Sequence, residues 1–193
     1  MIFFVTGASG AGKSACLPGL ASRLPNVALH DFDEVGVPAD ADKVWRQRTT
    51  EAWLSRGLEN EAAGRSTVIC GGAVLGEILA CPSASAAAHL AVCFLDCSDL
   101  ARIDRLKSRG PHGATQDTLN WAAWQRVHVV DPQWRPDVIT ADAAPEMHFQ
   151  RWAEWQRGDR RWHADVFDTT PLTALQVSAE VAAWSRARMA ERV

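Results

Sequence analysis

The segment Gly7-Ala8-Ser9-Gly10-Ala11-Gly12-Lys13-Ser14 constrains this chain more than any other. It fits G-x-x-x-x-G-K-[ST], a pattern that carries meaning only between a strand and a helix. Both flanks are present. Ile2–Thr6 is a short apolar run, and residues 13–24 have helical spacing. Glycines let the backbone curl so that successive N–H groups point inward at an anion. The helix N-terminus adds partial positive charge there. Gly7 to Ser14 therefore read as a cradle for nucleotide phosphates, with Lys13 reaching the β- and γ-phosphates and the Ser14 hydroxyl ligating Mg²⁺. Pro18 lies inside the predicted helix, and a bend there, or a helix tolerant of it, is expected.

Four further apolar runs read as buried strands, at 27–30, Thr67–Cys70, 90–95 and 165–167. Helical spacing fills 42–63, Leu75–Ala80, 100–108 and 172–192. Strand–helix alternation predicts an α/β fold, a parallel sheet with helices on both faces. The Ala/Ser-rich stretch at 82–88 reads as a surface loop. Residues 111–162 hold six of the nine tryptophans, Trp121, Trp124, Trp134, Trp152, Trp155 and, at the far edge, Trp162. Helices are expected at 118–130 and 146–157, so this segment reads as a helical insertion or lid in a single domain spanning 1–193. Trp121/Trp124 and Trp152/Trp155 fall at i, i+3, which suits either helix packing or an aromatic surface for a ring-bearing ligand.

A net charge of −3 gives no reason to expect nucleic acid or an anionic membrane as partner. The five cysteines are odd in number and irregularly spaced, so buried free thiols are expected. The apolar start is too short for a secretory signal, and no stretch reaches bilayer length, so the expected location is cytoplasmic.

His30-Asp31-Phe32-Asp33-Glu34 ends the second strand, where an open α/β sheet places its ligands. Asp31 and Asp33 alternate and can point the same way. One can hold Mg²⁺ and the other accept a proton from a substrate hydroxyl; both can equally belong to a helix cap. The third strand ends in Gly71-Gly72, which admits close approach of a small molecule and supplies no carboxylate, leaving Asp31 as the metal candidate. Arg46, Arg48 and Arg56 follow the second strand and suit an acceptor bearing a carboxylate or phosphate, or plain solvation. Trp45 and Trp53 share a helix face and either line an acceptor pocket or pack the core. Arg102, Arg105 and Arg109 share a face of the fourth helix, turned to the cleft or to solvent.

Taken together, Gly7–Ser14, Asp31-Phe32-Asp33, Gly71-Gly72 and Arg105-Leu106-Lys107-Ser108-Arg109 resemble the shikimate kinase and gluconate kinase branch of the nucleoside-monophosphate-kinase-like P-loop fold. The resemblance implies a five-stranded sheet of order 2-3-1-4-5, ATP with Mg²⁺, and phosphoryl transfer to a small hydroxylated acceptor. It implies Asp31 for the metal, Asp33 for the acceptor, Arg109 in a lid over ATP, and Thr169 in the loop that contacts adenine. Expected roles are thus catalytic for Lys13, Asp33 and Arg109, nucleotide-binding for the loop with Arg105 and Thr169, and acceptor-binding for Asp33, Arg48, Gly71 and Gly72. The lid and the Trp-rich segment depart from the usual kinase patterns. The rival readings are a nucleotide switch, for which Asp33-Glu34-Val35-Gly36 offers D-x-x-G without a guanine-reading partner motif, and an ATPase module acting on a macromolecule.

Overall fold

In a computed structural model, residues 1–110 and 113–191 are described. The first residues of the predicted insertion, Pro111 and His112, and the predicted end of the last helix at Arg192 lie outside them. Five parallel strands, β1 (Ile2–Thr6), β2 (Ala28–Asp31), β3 (Thr67–Cys70), β4 (Leu90–Asp96) and β5 (Asp165–Asp168), form one sheet of order β2-β3-β1-β4-β5. The helices are α1 (Lys13–Arg23), α2 (Lys43–Ala62), α3 (Leu75–Ala80), α4 (Asp99–Lys107), α5 (Gln116–His128), α6 (Asp137–Thr140) and α7 (Ala174–Ala190).

The central strand explains the layering. β1 is apolar throughout, and successive side chains point to opposite faces. Phe3 and Val5 pack with Cys16 and Leu20 of α1 and with Val177 and Val181 of α7. Ile2 and Phe4 pack with Trp53 and Leu54 of α2 and Ile78 of α3. Helices thus cover both faces, and the sheet order places the C-terminal ends of β1, β2 and β3 around the phosphate loop. The α1 helix runs through Pro18, whose ring lies on the exposed side, so the missing backbone bond falls where water can serve the Ser14 carbonyl.

The Trp-rich segment is built against the core. Trp152 is 2% exposed and donates its indole N–H to the Gly76 carbonyl at 2.9 Å. Trp162 donates to the His128 carbonyl at 3.1 Å. His128 is stacked on Trp124 at 4.4 Å, and burial pushes its imidazole down to about 4, so it is neutral near pH 7. Gly76 has no side chain for a reason: a Cβ there would meet His128, Ile139 and Trp162 at 2.8–3.0 Å.

Trp121 and Trp124 do stack from one helix, with centroids 5.0 Å apart. The helix expected at 146–157 is instead a single 3₁₀ turn, Phe149–Arg151. Its backbone bonds elsewhere: His148 N–H donates to the Ala80 carbonyl at 2.7 Å, and the Arg151 guanidinium takes the carbonyls of Leu79, Cys81 and Pro82 at the end of α3. Trp152 and Trp155 consequently part company. Trp155 lies near the surface under the Arg161 guanidinium, at 4.2 Å.

All five cysteines are buried free thiols. Among the described residues no helix is long and apolar enough to cross a membrane.

Candidate active site

The phosphate loop closes because of its glycines. Gly7, Gly10 and Gly12 all have positive φ, at 139°, 82° and 103°. A Cβ on Gly7 would sit 2.2 Å from the Leu95 carbonyl oxygen. Lys13 opens α1 and folds back to donate to the Ala8 carbonyl at 3.0 Å. Burial, then the nearby Arg102 charge, push its ammonium down to about 8, while Asp33 pulls the other way. Ser14 stands exposed on the first turn of α1.

After β2 the chain makes a 3₁₀ turn, Phe32–Val35, capped at both ends of a box. Asp31 accepts from the Asp33 amide at 3.0 Å, and Glu34 accepts from the Asp31 amide at 3.1 Å. One oxygen of Asp31 therefore serves the cap that the sequence allowed for. Phe32 anchors the turn in the core at 1% exposure. Gly71 makes that possible: its Cβ would lie 1.9 Å from the Phe32 Cβ. At Gly72 a Cβ would meet nothing within 4 Å, so its backbone borders open space.

These pieces meet in one cavity of about 190 Å³, lined by Ser9, Gly10, Gly12, Lys13, Ser14, Asp33, Gly71, Gly72 and Arg109. Burial, and then the neighbouring Asp31 carboxylate, raise the Asp33 carboxyl above its usual range. Arg102 and Arg109 both act on the Lys13 ammonium there, with Asp33 as the opposing charge. Such a convergence of cations and inward backbone amides suits a polyanion.

Seven expected site residues lie outside this cavity's lining: Gly7, Ala8 and Ala11 of the loop itself, and Arg105, Thr169, Arg48 and Asp31. Arg105 donates to the Thr169 carbonyl at 2.6 Å and to the Gly10 carbonyl at 3.2 Å. The Thr169 hydroxyl is fully buried and faces the Ala11 and Asp96 carbonyls, each at 2.9 Å. Both residues brace the phosphate loop from behind. Arg48 is exposed on α2 and paired with Glu146 at 2.7 Å. Asp31 is adjacent to the cavity through the cap but does not line it.

Sequence reading turned Arg102 toward the cleft or solvent and missed its partner Asp96 and, beyond that, Arg126. Arg102 is completely buried and donates to the Ser9 carbonyl and, at 2.7 Å, to Asp96. The second Asp96 oxygen accepts from Arg126 of α5 at 2.6 Å. The position of Asp96 at the C-terminal end of β4, level with the loop, was the available signal.

The residues also suit a magnesium ion that arrives with a nucleotide. Among the described residues no cluster of three or more His, Cys, Asp or Glu could hold a metal by itself. The Ser14 hydroxyl and the Asp31 and Asp33 carboxylates offer only hard oxygen donors, the kind Mg²⁺ takes alongside phosphate oxygens.

No protein-family model and no curated protein matches the chain. Solved structures do. The chain is similar to a sugar kinase from Janibacter sp. HTCC2649, at 14% identity over 96% of this chain and 94% of that one, with a TM-score of 0.57. It is similar to shikimate kinase from Aquifex aeolicus, at 17% identity over 98% of both chains and a TM-score of 0.54. It is also similar to a gluconokinase from Sinorhizobium meliloti 1021, at 19% identity over 98% of this chain and 93% of that one, with a TM-score of 0.50. The fold is thus that of the P-loop NTPases. Within that class its layout is the one found in shikimate kinase, gluconokinase and related P-loop kinases.

Proposed function

We propose that this chain is a kinase that transfers the γ-phosphoryl group of ATP, with Mg²⁺, to a hydroxyl of a small acceptor. The observation that carries the reading is the cavity where Lys13, Ser14, Asp33 and Arg109 converge beneath Gly71-Gly72. A guanine-nucleotide switch could also use Asp33, but the sequence offers no guanine-reading motif to go with it.

When bound, Mg²⁺ would neutralise charge on the β- and γ-phosphates. Ser14 and Asp31 would hold it. The loop amides and Lys13 would fix the phosphate tail, and Arg109 would close over it. Asp33 would orient the acceptor hydroxyl and take its proton as the new O–P bond forms and the bond from the γ-phosphorus to ADP breaks. Its raised carboxyl suits a proton acceptor that must later let the proton go. Positioning and fixed charge would supply most of the rate. The segment from residue 113 to 162 would act mainly as a structural layer, with the chain around Arg109 as the moving cover.

ADP release measured against a panel of sugars, polyols, nucleosides and amino alcohols tests this. Acceptor-dependent turnover is expected, with a fall of roughly 10²–10⁴ in Asp33→Asn at unchanged ATP affinity. Turnover that no acceptor stimulates, or that survives Asp33→Asn, sinks the proposal.

A further inference from the structure

The kinase reading leaves the acceptor's chemistry open, and the side chains beside Asp33 narrow it. A groove of about 590 Å³ runs along α2 next to the turn that carries Asp33. Its apolar walls are Val35, Pro38, Val44, Trp45 and Ala52. Trp45 packs edge-on against Phe32 at 5.9 Å, so the groove and the Asp33 turn share a wall. Val35, on the groove, is 54% exposed.

An anionic acceptor would need a free guanidinium along α2, where Arg46 and Arg48 are both engaged, while Arg109 in the Asp33 cavity is committed by the kinase reading to the phosphates. Arg46 forks onto the fully buried Glu77 at 2.8 and 2.7 Å and lies over the Trp121 ring at 5.0 Å. Arg48, on the groove itself, is paired with Glu146. The chain from Asp31 to Asp42 carries five carboxylates, Asp31, Asp33, Glu34, Asp40 and Asp42, and no lysine or arginine. Asp40 and Asp42 stand on the groove, both exposed; Asp42 spends one oxygen capping α2, on the Trp45 amide at 2.8 Å. The groove's lining is therefore mostly apolar, with Asp40 and Asp42 as its carboxylates and Thr49 and the Glu146-paired Arg48 as its other polar groups.

We infer that the acceptor is a hydroxylated amine with an apolar body, and this rests on the kinase reading above. Its hydroxyl meets Asp33, its carbon frame lies on Val35 and Trp45, and its ammonium faces Asp40 and Asp42. An aromatic wall beside carboxylates favours a cation on both counts. The same field rejects hydroxy acids and sugar phosphates, because like charges brought together repel across such a short span.

Phenylalaninol and phenyllactate are suitable probes, since both are hydroxylated phenylpropane frames and their charges are opposite. Their affinities are measured by calorimetry on the full chain with a non-hydrolysable ATP analogue and Mg²⁺ present. Phenylalaninol is expected to bind at least about tenfold more tightly, and to weaken as salt rises. In Asp40→Asn/Asp42→Asn, a pair that keeps the helix cap, the preference is expected to shrink to about twofold, with the melting temperature reporting that the variant is folded. Equal or tighter binding of phenyllactate overturns the inference, as does failure of both probes to bind protein that has taken up the ATP analogue. Failure to take up the analogue at all is a different result: it overturns the kinase reading and this inference with it.

Discussion

Arg102 and Asp96 form a buried pair at 2.7 Å directly behind the phosphate loop, and Arg102 also holds the Ser9 carbonyl. The loop is thereby tied to the end of β4, and through Asp96 to Arg126 on the Trp-rich segment. Removing one partner of a buried pair leaves the other uncompensated. Arg102→Met is expected to cost roughly 3 kcal/mol of stability, less than the worst case because Arg126 still serves Asp96. Urea titration measures this. Arg126→Met, at a half-exposed partner, is expected to cost about 1 kcal/mol or less. A larger loss for Arg126 than for Arg102 would contradict the assignment of Arg102 as the main brace.

Lys13 gives two pH effects of opposite sign. Its ammonium titrates near 8 in the folded chain, against the ordinary lysine value of 10.5 that an unfolded chain approaches. Between those values the unfolded chain binds more protons, so this group makes the folded chain more stable as pH rises from 8 to 10.5. Nucleotide binding runs the other way. The triphosphate needs the charged ammonium, so affinity is expected to hold below pH 8 and to fall above it. Calorimetry from neutral to alkaline pH, beside urea melts of the ligand-free chain, checks both. Lys13→Ala is expected to remove the pH dependence of binding and to weaken ATP by about 2–3 kcal/mol, the usual worth of a hydrogen bond to a charged group.

How much was legible in the sequence follows from where each residue's partners lie. The phosphate loop could be read because its own spacing demands a strand before it and a helix after it. Asp33, Gly71 and Gly72 could be gathered beside it because parallel strands bring their C-terminal ends together, whereas Arg109, which follows α4, was placed there only by the resemblance. Arg48 could not be placed, because Glu146, which neutralises it, is 98 residues away. Arg105 and Thr169, 64 residues apart, share a face with the loop and turn toward its back, which side-chain spacing on one helix does not reveal. The stretch at 146–157 has helical spacing, yet the carbonyls at the end of α3 outbid its own backbone.

The two glycines after β3 make a discriminating pair. In Gly71→Ala the new methyl would overlap Phe32, whose Cβ lies 1.9 Å from it, and Phe32 is flanked by Asp31 and Asp33. Something must shift, and the turn is the part that can. The expected result is a loss of about 1–3 kcal/mol from overpacking and a fall in acceptor-dependent turnover through displaced carboxylates. Gly72→Ala enters open space and is expected to change stability by about 0.5 kcal/mol or less. Paired melting curves and turnover rates separate the two.

Trp152 tests whether the Trp-rich segment is part of the core or an appendage. Its ring packs edge-on against Trp162 at 5.1 Å and Phe149 at 5.7 Å, and its indole N–H holds the Gly76 carbonyl on α3. Trp152→Ala opens a large cavity and frees that carbonyl, so a loss of about 3–5 kcal/mol is expected. Trp152→Phe keeps most of the ring volume and loses the donor, with an expected cost of about 1–3 kcal/mol. Trp134→Ala, at a side chain 45% exposed, is expected to be near neutral. Because α3 follows directly from Gly71-Gly72, a core role also requires Trp152→Ala to lower the melting temperature of the whole chain in one transition. An early, separate transition that spares ATP uptake would mean that the segment unfolds alone and that the parallel sheet stands without it.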